Sequence, residues 1–118
     1  MPETAFPVTS IDGVAVVTTP EEIDISNAAE LRAALLGAVT PGVSVVVVDM
    51  SGTEFCDSTG LNTLVRAQQQ AAAEGGQVRL IVRTPAVQRM LTMTGVANMF
   101  GVYPSLREAL DPAAPGGN

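Results

Sequence analysis

A chain of 118 residues with six arginines, no lysine, no histidine and a formal net charge of −6 excludes several classes of function. Without histidine, neither a Ser-His-Asp nor a Cys-His catalytic arrangement can form, and without lysine there is no Walker-type phosphate-binding loop. The arginines are scattered along an acidic chain, and we therefore expect no nucleic-acid binding.

The first predicted elements are two short strands, over residues 5–10 and 13–19. Asp12-Gly13 lies between them and is a typical hairpin turn signal, flanked by apolar residues. The sequence therefore predicts an antiparallel pair at the start of the fold.

A polar loop at residues 20–27 leads into the first predicted helix. Asn27 and Glu30 have the spacing of a capping box, in which each side chain bonds to the other residue's backbone N–H. We expect Ser26 or Asn27 to cap this helix, and Asp24 to supply a favourable charge near its start. The buried stripe of the helix is predicted to be Leu31, Leu35 and Ala38.

The apolar run VVVV at residues 45–48 is typical of a strand that is covered on both faces. It ends at Asp49, and a polar turn at residues 50–57 leads into a second helix that begins near Ser58 and ends at Gly75-Gly76. The predicted stripe of this helix contains Leu61, Leu64, Val65, Gln68, Ala71 and Ala72.

The start of the second helix is the candidate functional site. Asp57, Ser58 and Thr59 can each cap it, and Gly60 is expected to let another molecule come close. Two interpretations remain open at this point. Either both hydroxyls only cap the helix, or Ser58 accepts a phosphoryl group that the helix N-terminus tolerates electrostatically.

The rest of the chain completes an α/β pattern. A strand at residues 77–83 alternates apolar and polar side chains and is expected to be half covered. A third helix from Pro85 to Gly95, a strand at 99–102 and a helix at 105–110 follow.

The predicted order of elements is β-β-α-β-α-β-α-β-α. It indicates a mixed and mostly parallel sheet with about four helices, in one domain over residues 1–111. Residues 112–118 are predicted to be a disordered tail.

Two further residues suggest chemistry that the chain cannot complete. Asp49 ends a central strand, as the phospho-acceptor of response-regulator receivers does, but the lysine those domains use is missing. Cys56 is the single cysteine, which excludes an internal disulfide and favours a small buried residue in a reducing compartment. With no membrane-length apolar stretch and no secretory signal, we expect a cytoplasmic protein that avoids membranes.

Several motifs, in register from about residue 5 to residue 110, carry a family resemblance. The chain resembles an anti-sigma-factor antagonist, the single-domain form of the STAS fold. The motifs are Ile23-Asp24 with Ala29-Glu30-Leu31-Arg32, Val48-Asp49-Met50-Ser51, Phe55-Cys56-Asp57-Ser58-Thr59-Gly60-Leu61, Gly95-Val96 through Phe100, Val102-Tyr103 and Ser105-Leu106-Arg107-Glu108-Ala109-Leu110.

The resemblance implies a STAS-like fold and a regulatory function without catalysis, cofactor or metal. It implies that Ser58 is phosphorylated by an anti-sigma factor that is itself a serine kinase, which brings its own ATP and magnesium, and that a serine phosphatase reverses the step. The unphosphorylated chain would bind that kinase and free a sigma factor in a stress response. The residues expected near the phosphorylation site or in partner contacts are Asp24, Ile25, Ser26, Asn27, Asp57, Thr59, Gly60 and Asn62.

Other functions compete with this interpretation. A STAS module can act as a scaffold, or bind a nucleotide or other small ligand, without being phosphorylated. A small hydrolase or reductase is opposed by the missing histidine and Gly-rich loop. We expect the free chain to be a monomer.

Overall fold

The computed structural model describes residues 4–111, and the tail predicted at residues 112–118 lies outside them. Its elements are β1 Val8–Ile11, β2 Val14–Thr18, β3 Glu22–Ile23, α1 Ala28–Ala38, β4 Val45–Asp49, β5 Phe55–Cys56, α2 Ser58–Ala73, β6 Gln77–Ile81, α3 Pro85–Thr94, a 3₁₀ helix Ala97–Met99, β7 Gly101–Tyr103 and α4 Leu106–Leu110. The predicted order of strands and helices is confirmed. Three short elements that were not predicted interrupt it: β3, β5 and the 3₁₀ helix.

Five strands form one sheet in the order β1-β2-β4-β6-β7. β1 is antiparallel to β2, and the other neighbouring strands are parallel. The hairpin between β1 and β2 turns at Asp12 and Gly13, whose φ angles of 53° and 79° are the left-handed conformation that a tight hairpin requires. The prediction of a mixed, mostly parallel sheet is therefore confirmed.

β4 is the central strand of the sheet, and its valines point to both faces, each of which is covered. Val46, Val47 and Val48 are no more than 1% exposed. Val46 and Val48 belong to the large core formed with α1, α2 and α3, whereas Val47 belongs to a smaller core that includes Ala109 of α4. The three crossovers that follow β2, β4 and β6 all step in one direction. Such crossovers are expected to share one hand, and α1, α2 and α3 accordingly pack on one face of the sheet, in the large core.

A second sheet, formed by β3 and β5 in parallel, is absent from the sequence-based prediction. The sequence predicts a loop at residues 20–27 and a turn at 50–57, because two-residue strands are too short to show a hydrophobic period. Glu22 pairs with Phe55 and Ile23 with Cys56. This pairing joins the loop before α1 to the loop before α2.

The prediction that β6 is half covered is wrong. Arg79, expected on the open face, is only 4% exposed. Its guanidinium lies 5.4 Å from the centre of the Tyr103 ring, and one terminal nitrogen donates to the backbone oxygens of Ala109 and Asp111, both at 2.9 Å. Helix α4 covers this face of the sheet, and carbonyl groups at its end accept the bonds that a buried guanidinium needs.

The helix ends follow the sequence signals in most places. α3 begins at Pro85 and ends before Gly95, whose φ of 76° is the left-handed conformation typical of a helix end. The last strand begins at Gly101 rather than at residue 99, because the 3₁₀ helix occupies the preceding residues. Among the described residues, every helix is too short or too polar to cross a bilayer.

Candidate functional site

Helix α2 presents the hydroxyl of its first residue, Ser58, to solvent. The carboxylate of Asp57 accepts a hydrogen bond from the N–H of Gly60 at 2.9 Å, so Asp57 is the cap. Ser58 and Thr59 are exposed, and neither side-chain hydroxyl bonds to another group within residues 4–111. The interpretation that both hydroxyls serve only as caps is therefore wrong. A free hydroxyl stands at the positive end of a 16-residue helix.

The loop before α1 is a hydrogen-bonded turn around Asp24. Its carboxylate accepts bonds from the Ser26 hydroxyl and from the backbone N–H of Ser26, the latter at 2.9 Å. These bonds, that of the hydroxyl first, hold the pKa of Asp24 below its ordinary value of 3.8. Asp24 is therefore a charged carboxylate at neutral pH with a fixed orientation.

Asn27 precedes α1 but does not cap it in the predicted way. Its side-chain oxygen accepts a bond from the N–H of Asp24 at 3.0 Å, and its amide donates to the carbonyl oxygen of Glu22 at 2.9 Å. The side chain thus bonds backward into the loop, and the predicted capping box with Glu30 does not form. Asn27 stabilises the Asp24 turn instead of the helix.

The pairing of β3 with β5 brings these two loops together. The N–H of Asp57 donates to the carbonyl oxygen of Ile23 at 3.0 Å, which extends the pairing beyond Cys56. Asp24 and Asp57 each follow directly on the paired residues, so the Asp24 turn and the first turn of α2 lie side by side. The rim that they form is acidic.

Gly60 faces the interior, and the expectation that its bare backbone admits another molecule is wrong. A Cβ atom at this position would lie 2.6 Å from Cγ2 of Ile23 and 2.9 Å from Sγ of Cys56. The close approach is therefore between α2 and the two-stranded sheet. Burial, and secondly the charge of Asp57, raise the pKa of Cys56 to about 12, so its thiol stays protonated and unreactive.

A shallow depression opens beside Ser58, on the flank of α2 that faces the loop after α3. It is lined by Ser58, Thr59, Leu61, Asn62, Val65 and Val96. The sequence predicts Leu61 and Val65 in the buried stripe of α2, but both are only half buried, and the stripe runs through Leu64, Ala67 and Ala71. The free hydroxyl therefore has partly exposed apolar side chains next to it.

Large apolar side chains are also exposed at the same rim, one in the Asp24 turn and one in β5. Ile25 is 78% exposed and Phe55 is 51% exposed. Ile25 is among the residues expected in partner contacts, whereas sequence reasoning missed Phe55 and Val96. An aromatic residue within the polar turn predicted at residues 50–57 is the signal that could have found Phe55. Surfaces of this kind are typical of protein–protein contacts.

Asp49, the rival centre, serves the turn after β4. Its carboxylate accepts a bond from the N–H of Ser51 at 3.0 Å, and its backbone oxygen accepts one from the N–H of Thr19 at 3.0 Å. Across residues 4–111, no three His, Cys, Asp or Glu side chains are grouped in a way that could hold a metal ion. The surroundings of Asp49 are those of a structural aspartate.

Comparisons with known proteins agree with this fold. The family model of the STAS domain matches residues 5–109. An anti-sigma factor antagonist from Mycobacterium paratuberculosis superimposes with a TM-score of 0.80 at 34% identity, over 89% of each chain. Anti-sigma-F factor antagonist RsfB of Mycobacterium tuberculosis is 29% identical over 99 residues, which are 84% of this chain and 80% of RsfB. The anti-sigma factor antagonist SpoIIAA in its unphosphorylated form has the same fold, with a TM-score of 0.74 at 19% identity over 91% of this chain and 94% of SpoIIAA.

Proposed function

The chain belongs to the STAS domain family, and we propose that it is an anti-sigma-factor antagonist switched by phosphorylation of Ser58. In its unphosphorylated form it binds an anti-sigma factor and thereby frees a sigma factor. The observation that carries the proposal is the exposed, unbonded hydroxyl of Ser58 at the start of α2. The relatives named anti-sigma factor antagonists support it.

The proposed phosphoryl transfer uses the chain only as an acceptor. The Ser58 oxygen attacks the terminal phosphorus of ATP held with magnesium by the anti-sigma kinase, the bond to the bridging oxygen breaks, and ADP leaves. The hydroxyl proton passes to a carboxylate base of the kinase. A serine phosphatase later hydrolyses the phosphate ester. The chain itself catalyses neither step.

The charge of the phosphate is sufficient for a switch. The Ser58 hydroxyl must face the terminal phosphate of ATP during transfer. Phosphoserine at the same position therefore faces the negative charge of the next ATP molecule that the kinase binds. A charge of about −2 held ~6 Å from a single negative charge, at an effective dielectric constant of ~40, costs on the order of 3 kcal/mol. That energy weakens binding roughly a hundredfold. The neighbouring carboxylates of Asp24 and Asp57 favour a basic surface elsewhere on the partner.

Intact-mass spectrometry after incubation with the cognate anti-sigma kinase and ATP tests the proposal. We expect one added phosphate, which Ser58→Ala abolishes and the matched control Thr59→Ala retains. Phosphate on Thr59 or Asp49 would contradict the assignment. So would the absence of any phosphate after incubation with the correct kinase.

The cellular setting is part of the same proposal. We place the chain in the cytoplasm, because its single cysteine is buried and unpaired. We also propose that it is a monomer when free, with the kinase and the phosphatase as its protein partners. Sedimentation of the purified chain measures directly whether it is a monomer.

A further inference from the structure

A second candidate surface lies on another flank of α2, in the groove between α1 and α2. The groove has a volume of about 260 Å³. Its walls include Arg32, Leu36, Thr63, Arg66 and Gln70. It shares no lining residue with the depression beside Ser58.

The charge of this groove is opposite to that of the chain. Arg32 and Arg66 line it, and none of its lining residues is acidic, although the chain carries a net charge of −6. Both side chains are exposed, and neither has a hydrogen-bond or ion-pair partner anywhere in residues 4–111. Two unneutralised guanidinium groups therefore face the same groove, one from each helix.

The floor of the groove is apolar. Leu35 and Ala67 are buried beneath it, and Leu36 remains 43% exposed at its edge. Thr63 and Gln70 add polar groups along the rim. An apolar centre with a polar and cationic border is the usual composition of a protein–protein contact, in which arginine is enriched.

We propose that the α1–α2 groove binds an acidic, partly apolar segment of a protein partner. Carboxylates of that segment contact Arg32 and Arg66, because a guanidinium matches a carboxylate with two parallel hydrogen bonds. An apolar side chain of the segment covers Leu36. The rim around Ser58 carries Asp24 and Asp57 and selects the opposite charge, so the groove is a separate docking site whose occupation does not depend on phosphorylation.

An NMR titration of the ¹⁵N-labelled full chain tests this assignment. The probe is a short synthetic peptide with glutamate and leucine at helical spacing, and the matched probe has lysine in place of glutamate. We expect the glutamate peptide to shift amide signals of Leu36 and Gln70 but not those of Ser58, and the lysine peptide to shift neither. The double variant Arg32→Gln/Arg66→Gln should weaken binding about fivefold, because it removes two exposed ion pairs whose free energies add.

Controls separate this site from the phosphorylation switch. Arg89→Gln removes an exposed arginine from α3 and should leave peptide binding unchanged, and Ser58→Asp should leave it unchanged as well. No shift at millimolar peptide, shifts on another surface, or equal binding by the double variant would overturn the proposal. It would also be overturned if inorganic phosphate alone, or a higher concentration of the chain alone, gave the same shifts, because the occupant would then be a small anion or a second copy.

Discussion

Two short polar side chains at the rim, Asp57 and Asn27, have similar capping chemistry but act differently. Asp57 bonds forward to the first turn of α2, whereas Asn27 bonds backward to Asp24 and Glu22. The local sequence allows both outcomes, because such side chains reach the backbone on either side. The Asn27 bonds lie in the loop that β3 and β5 fix in place. That pairing is a tertiary feature, so the sequence pattern could not choose between the two outcomes.

At Gly60, the lack of a side chain lets α2 pack against the two-stranded sheet. We predict that Gly60→Ala lowers the free energy of unfolding by about 1–3 kcal/mol, because the added methyl group overlaps buried Ile23 and Cys56. Urea denaturation measures the change. The control is Gly37→Ala in α1, where a methyl group meets no atom within 4 Å and should stabilise by about 0.4–1 kcal/mol. Equal stability of Gly60→Ala and the unmodified chain would contradict the packing.

At the scale of the elements, the sequence predicts those strands and helices that are long enough to show a hydrophobic period. The main strands and helices each span several residues of one period, and their order is confirmed. The two residues of β3 and of β5 have no period, yet their pairing sets the position of the whole rim. In the same way, alternation in β6 could not reveal that a five-residue helix folds back over Arg79. Both failures concern short elements whose place is set by distant contacts.

The contact between β6 and α4 predicts that Arg79 holds the whole of α4 against the sheet. Arg79→Met should lower the free energy of unfolding by about 1–3 kcal/mol, because the backbone oxygens of Ala109 and Asp111 lose a buried donor. Hydrogen exchange should also accelerate in the amides of α4. Arg83→Met, which changes an exposed arginine next to β6, should alter stability by less than about 0.5 kcal/mol. Unchanged exchange in α4 after Arg79→Met would show that the arginine does not hold this helix.

For the molecule as a whole, the sequence and the structure contribute different parts of the site. From spacing alone, Ser58 could be either a cap or a phosphate acceptor, and only the family resemblance favoured the acceptor. The structure removes the cap interpretation, because Asp57 caps α2 and Ser58 stays exposed. It adds the apolar depression beside Ser58, whose lining residues Leu61 and Val65 the sequence had predicted in the buried stripe of α2. Whether a side chain in such a stripe is buried or borders a depression depends on the neighbouring loop, here that of Val96.

A switch built on surface charge should act without a change of fold. A phosphate on the first residue of α2 meets free backbone N–H groups and the positive end of the helix, so it does not unfold the helix. Ser58→Asp adds about half of that charge, and we predict that it weakens binding to the anti-sigma kinase about tenfold. Calorimetry measures the affinity, and circular dichroism should show the same thermal midpoint as for the unmodified chain. Ser44→Asp is the control, because it adds the same charge at an exposed residue directly before β4, at the opposite end of that strand from the loop that leads to Ser58. Equal affinity for Ser58→Asp and the unmodified chain, or an equal loss in Ser44→Asp, would show that charge at Ser58 does not control the partner.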